Sequence, residues 1–178
     1  MKYFTPQLLA AYGADDATTR ADAEARWDEA CERYTTYLDT IKSDFPPGLR
    51  RAEDSYNLHD AKVRSLGQRD GALVIVLQLD TPPQPLVTFT YDLLAPPRID
   101  PEALPAELRS KAAVPEWQYD EVEKVEGAPP TWQQSVLLSN GWELSLHLRD
   151  IKVEEAQALL PAPRNGAVAT AGLVPQSA

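Results

Sequence analysis

Apolar and polar positions change rhythm once along this chain, near residue 60. Before it, apolar or small side chains fall at Ala23, Trp27, Cys31, Tyr34, Leu38, Ile41 and Phe45. Steps of three and four residues keep these side chains on one face of a helix. Asp15, Asp16, Asp22 and Glu24 crowd its beginning, where the helix dipole favours negative charge, and Phe45-Pro46-Pro47-Gly48 stops it. The pattern predicts a helix over 16–44. Such a stripe could pair with a second copy as a coiled coil or pack on the protein's own sheet. Its mixture of small and aromatic residues, without sustained leucines, favours its own sheet. Shorter helices are expected over 5–12, opened by Thr5-Pro6 and closed by Gly13, and over 49–54.

After residue 60 the period becomes two. Strands are predicted over 61–68 and 73–79, joined by a hairpin turn at Arg69-Asp70-Gly71. The second is apolar on both faces at its start, as in a central strand covered on both sides. A third runs over 86–92, with Val87, Phe89 and Tyr91 on one face. Residues 117–126 read as a more polar, edge-like strand. Residues 131–139 and 142–149 form a hairpin around Asn140-Gly141. Between them, 95–116 is an excursion in which Asp100-Pro101 starts a helix that Pro105 and Pro115 keep short. A short helix is expected over 153–160. From Pro161 onward alanine, glycine, proline and small polar residues predict a disordered tail. The fold class expected is α+β. A long amphipathic N-terminal helix and short helices pack on a mostly antiparallel sheet of about five or six strands. Residues 1–160 make one domain and 161–178 the tail.

The charge narrows the function. A net charge of −10 argues against nucleic acid, which needs clustered lysine and arginine. The densest basic stretch, Arg50 to Arg69, is diluted by Glu53, Asp54 and Asp60. Acidity keeps a protein soluble, and it also suits a basic partner. The longest apolar run, Ala72 to Leu77, is too short to cross a bilayer, so no membrane role is expected. One cysteine and the absence of a leader pattern point to a reducing, cytoplasmic setting.

Few residues offer chemistry. Cys31 lies on the apolar helical stripe, where cysteine behaves as a small hydrophobe rather than a nucleophile. No phosphate-binding glycine loop or serine elbow occurs, and one cysteine with two histidines cannot make an ordinary structural zinc site. No cofactor is expected. The candidates left are His59 and Asp60, with His147 on the last strand. Together they could ligate a metal if the fold joined them. Read structurally, Asp60 accepts backbone N–H groups at a turn, His59 bridges to a carbonyl, and His147 is a surface residue. Asp120-Glu121 and Glu154-Glu155 carry little weight in so acidic a chain. Trp117, Tyr119, Trp132 and Trp142 cluster in the later strands, either as core and cross-strand packing or as a binding surface centred on Trp117 and Tyr119.

Met1-Lys2-Tyr3-Phe4-Thr5 and Leu58-His59-Asp60-Ala61-Lys62-Val63 together resemble an uncharacterised bacterial family. Its layout is a Met-(Lys/Arg)-Tyr-Phe-Thr start, a long helix, a Leu-His-Asp-Ala-type motif and a β-meander. The resemblance covers about residues 1–150 and implies no established activity. Leu-His-Asp-Ala followed by strands also resembles small acidic bacterial domains, some of them immunity proteins that neutralise toxins. The function expected is therefore a non-enzymatic binding protein with a protein partner, immunity-like in character. The alternative is a metal-dependent hydrolase using His59, Asp60 and His147.

Overall fold

The computed structural model describes residues 1–156. These contain three α-helices, α1 (Pro6–Tyr12), α2 (Ala17–Ile41) and α3 (Pro47–Ser55), and seven strands. The strands are β1 (Ala61–Arg69), β2 (Ala72–Gln78), β3 (Leu86–Leu93), β4 (Arg98–Asp100), β5 (Glu116–Val125), β6 (Thr131–Leu138) and β7 (Glu143–Ala156). The fold is α+β with an antiparallel sheet, as the change of period indicates. The sheet has seven strands rather than five or six. No helix among the described residues is long and apolar enough to cross a membrane.

The sheet closes on itself. Its order is β3-β2-β1-β5-β6-β7-β4, and β3 also pairs with β7. Six strands therefore form a ring, and β4 hangs on the outside of β7. β7 makes this possible by its length. Its first half pairs with β6 (Trp132↔Leu148 to Leu137↔Glu143), and from Leu148 onward its other edge pairs with β3. The helix expected over 153–160 is thus replaced by strand through Ala156: eight register pairs with β3 outweigh the weak local preference of Val153-Glu154-Glu155-Ala156 for helix. Residues 157–160 and the tail from Pro161 lie outside the described residues.

The inside of the ring is the main core. Trp117, Trp132, Tyr91, Phe89, Leu77 and Leu146 are fully buried there, each worth about 1.5–3 kcal/mol of apolar burial for the larger side chains. β2 buries Leu73, Ile75 and Leu77 inward and leaves Val74 and Val76 half-buried. One face is covered rather than both, because a closed ring has only one inside. Both hairpin turns form: Asp70 and Gly71 have φ of 52° and 81°, and Gly141 has φ of 89°.

β5 is not an edge. It pairs with β6 throughout and touches β1 at Ala61↔Trp117 and Lys62↔Glu116. Beyond that point β1 and β5 part, and α2 covers the exposed edge of β5. The Tyr34 and Tyr37 hydroxyls accept from the backbone N–H groups of Val122 and Lys124 at 2.7 and 2.9 Å. The α2 stripe thus serves its own sheet. Ala23, Trp27, Ala30 and Tyr34 form a second cluster with Tyr3, Phe4, Leu8 and Tyr119. The start of the chain bends around Glu121, which ties it to β5. Its buried carboxylate accepts from the N–H groups of Lys2, Tyr3 and Phe4 at 2.6, 2.7 and 2.6 Å.

The excursion before β5 makes no α-helix. Asp100 accepts from Glu102 N–H at 2.9 Å in a turn, and a single 3-10 turn follows at Ala106–Leu108. The prolines on either side leave no room for more.

Candidate functional site

A pocket of about 350 Å³ opens where β1 and β5 separate, beneath the end of α3. Three short pieces of backbone build it. Pro47 opens α3 at a position where its missing N–H costs nothing, and the helix carries Ala52 and Glu53 to the pocket wall. The chain then turns through Leu58-His59-Asp60-Ala61, with Ala61 N–H donating to Leu58 O at 2.9 Å. Asp60 occupies the third place of this turn with φ of 64°, a left-handed conformation that aspartate tolerates better than most residues. From the other side, β5 contributes Gln118, Tyr119 and Asp120.

β5 carries a bulge here. Trp117 pairs with Leu138 and Tyr119 with Leu137, so one extra residue interrupts the alternation. Trp117 points into the ring before the bulge; Asp120 and Val122 take that direction after it. Tyr119 and Glu121 face α2 and the start of the chain. A carboxylate is thereby directed into an apolar interior. Trp117 Nε1 donates to Asp120 Oδ1 at 3.0 Å and Gln134 Nε2 to Oδ2 at 2.9 Å. Burial raises the Asp120 carboxyl above its usual range, opposed by these two donors, and the charge of Glu121 adds to the rise.

Glu53 faces the same interior. Burial first, then the charges of Asp120 and Asp54, push its carboxyl up to about 8. The basic residues around α3 do not relieve it. Arg50 donates to the carbonyls of Ser43 and Phe45, Arg51 to Val153 O and the Tyr56 hydroxyl, and Lys42 is bonded to Asp39. Behind the carboxylates the Tyr91 hydroxyl and Gln134 Oε1, each on a residue about 1% exposed, lack any hydrogen-bond partner, as does Gln118 Oε1. The charges of Asp120 and Glu53 both raise the Tyr91 phenol, after burial. The site is a small acidic cleft, with unpartnered polar atoms on its wall and in the interior near it.

Of the residues singled out by sequence, His59 and Tyr119 line this pocket, with ring centroids 5.2 Å apart. His59 Nδ1–H donates to Gln118 O at 2.6 Å, and its Nε2 lies 3.7 Å from Asp60 Oδ1. Asp60 does not cap backbone N–H groups as expected. Its carboxylate has only the His59 contact, and its own N–H donates to Trp117 O at 2.9 Å. Trp117 is buried behind the pocket as the donor to Asp120. His147 is elsewhere, its Nε2 2.9 Å from Thr131 Oγ1 across β6 and β7. Among the described residues no group of three histidine, cysteine or carboxylate side chains is arranged to hold a metal, so His59, Asp60 and His147 do not converge. Cys31 is half-buried, and burial followed by the charge of Asp28 raises its thiol, the reverse of what a nucleophile needs.

Sequence reasoning missed Glu53, Asp120, Tyr91 and Gln134. No local signal marks Asp120: three residues after Trp117 in a regular strand it would face the opposite side. The bulge that aims it inward has no signature in the sequence. No protein-family model matches the chain, and no curated protein is similar to it.

Proposed function

We propose that this protein is a non-enzymatic binding protein whose recognition site is the acidic cleft between α3, the Leu58–Ala61 turn and β5, and whose partner is a basic protein, in the manner of an immunity protein. One observation carries the reading. Glu53 lines a half-buried cleft beside Asp120 with no cation to pair with it, so burial holds its proton over a range in which an exposed glutamate is charged. A buried acid without an ion-pair partner is suited to a cation that arrives from outside. The net charge of −10 would favour encounter with a basic partner by long-range attraction. The resemblance of Met1–Thr5 and Leu58–Val63 to an uncharacterised bacterial family, and of the latter segment to small acidic immunity domains, supports the same reading.

The test is capture of a partner from the native host at low and moderate salt, with wild type and Glu53→Gln side by side. A partner held by wild type and lost by the variant supports the proposal. Equal retention by both moves binding off the cleft, and recovery of nothing under either condition counts against a protein partner. A toxin gene beside this one would strengthen the immunity reading.

A further inference from the structure

We propose that the cleft receives the head group of an organic cation, an alkylguanidinium or alkylammonium, held between Glu53 and Asp120 with the unpartnered Gln118 Oε1 beside them. The proposal rests on the binding reading above and names the chemistry of what is bound.

The hydrogen-bonding inventory selects the ligand. Asp120 already accepts from Trp117 and Gln134, one donor to each oxygen, and a carboxylate oxygen has room for a second. Glu53 has no hydrogen-bond or ion-pair partner among the described residues. Gln118 Oε1, on the pocket wall, has no partner, and one N–H of the Gln134 amide is given to Asp120. A buried acceptor without a donor loses its hydration for nothing, and a carboxylate more so. The complementary group must bring several N–H donors and positive charge together. Guanidinium has five N–H groups and alkylammonium three, and neither carries an acceptor. An anion would meet like charge once the acids ionise. The mouth suits the stem of such a cation: Tyr119 and His59 form one wall against which it can lie. A volume of about 350 Å³ has room for the head group and stem of one such side chain.

Binding should take up the acids as anions. The ionisable groups that face Glu53 are Asp120 on β5, Tyr34 on α2, Tyr91 on β3, and Asp54 on its own helix, with His59 across the pocket and Lys42 in a neighbouring cleft. A cation arriving between Glu53 and Asp120 displaces the proton that burial keeps there, so affinity rises from pH 6 to pH 9.

The probes are N-acetyl-arginine methylamide, which imitates a partner's side chain, agmatine, which is a free amine, and the neutral N-acetyl-citrulline methylamide. The readout is the Trp117 indole N–H resonance, which reports directly on Asp120. Saturable shifts are expected for both cations, with Kd of roughly millimolar size for so small a head group. The citrulline compound should not bind, and Glu53→Gln should weaken the cations by about tenfold or more. Binding of agmatine alone assigns the site to a free amine; binding of the blocked arginine as well assigns it to a partner's side chain. Citrulline binding as well as arginine, or no saturable shift at tens of millimolar cation, overturns the proposal. Cation binding with no protein captured would leave this inference standing and remove the partner reading. Capture through the cleft with no response to either cation would do the reverse.

Discussion

Replacing Glu53 by glutamine should make the protein more stable in alkali and flatten its response to pH. The carboxyl stands at about 8 when folded, against an ordinary value of 4.5. Between those values the folded state holds a proton that the unfolded chain has released. Stability tied to this group is therefore complete at low pH and is lost as pH climbs from about 4.5 to about 8. One proton corresponds to about 1.4 kcal/mol per pH unit, so from pH 5 to pH 9 the wild type gives up as much as about 4 kcal/mol on account of Glu53. Water in the pocket mouth screens part of this, and about 2–4 kcal/mol is the expected loss. Asp120 acts in the same direction and remains in the variant. Glutamine has nearly the same shape and no charge to release, so the variant should lack the Glu53 component. The assay is urea unfolding of both proteins at pH 5, 7 and 9. Expected are similar midpoints at pH 5 and a clear advantage for Glu53→Gln at pH 9. Parallel pH profiles would show that Glu53 ionises freely in the folded protein, and the argument for an unrelieved acidic cleft would collapse with it.

Other substitutions probe the frame of the site, all by denaturant midpoint. Asp60→Gly should leave stability unchanged or raise it, whereas Asp60→Val should cost about 1–2 kcal/mol, because the left-handed backbone there penalises a branched β-carbon; equal losses for both would instead implicate the carboxylate. Gly48→Ala should cost about 3 kcal/mol or more, since the added carbon would sit 1.5 Å from Ile151 O and drive α3 away from β7; a wild-type midpoint would rule out this close approach. Glu121→Gln should cost about 3 kcal/mol and speed amide exchange at Tyr3 and Phe4, whose N–H groups lose their charged acceptor; unchanged exchange at those amides would contradict the anchoring role.

What could be read in the sequence was whatever depends on near neighbours. The α2 stripe, the Asp70-Gly71 and Asn140-Gly141 turns and the alternation of β3 and β7 all rest on spacing of a few residues, and all are present. Ring closure was not legible, because β3 meets β7 and β1 meets β5 across long stretches of chain, and no local pattern records that register. The same long-range pairing turned Val153–Ala156 into strand. The site divides along the same line. His59 stood out as one of two histidines beside a motif, and it does line the pocket. Glu53 and Asp120 are two among 27 acidic residues, and only burial distinguishes them. For Asp120 that burial depends on a bulge which reverses the inside-outside phase of β5, so alternation read from Trp117 points it the wrong way.

The closed ring also sets the order in which this protein can be made. α2 is complete by residue 41, yet the strand its tyrosines cap begins at Glu116, and β7, which joins the two ends of the sheet, runs to Ala156. While the chain is being synthesised, the aromatic side of α2 has nothing to settle on for roughly the time taken to add many tens of residues, several seconds at ordinary translation speed. β1 to β3 can form a meander early, but it has both flanks open until β5, β6 and β7 emerge. Folding dominated by such distant pairings is slow, on a scale of milliseconds to seconds for domains of this kind. The vulnerable species is therefore the nascent chain holding β1 to β3, and host chaperones that shield apolar segments should matter more to its yield than the stability of the finished ring.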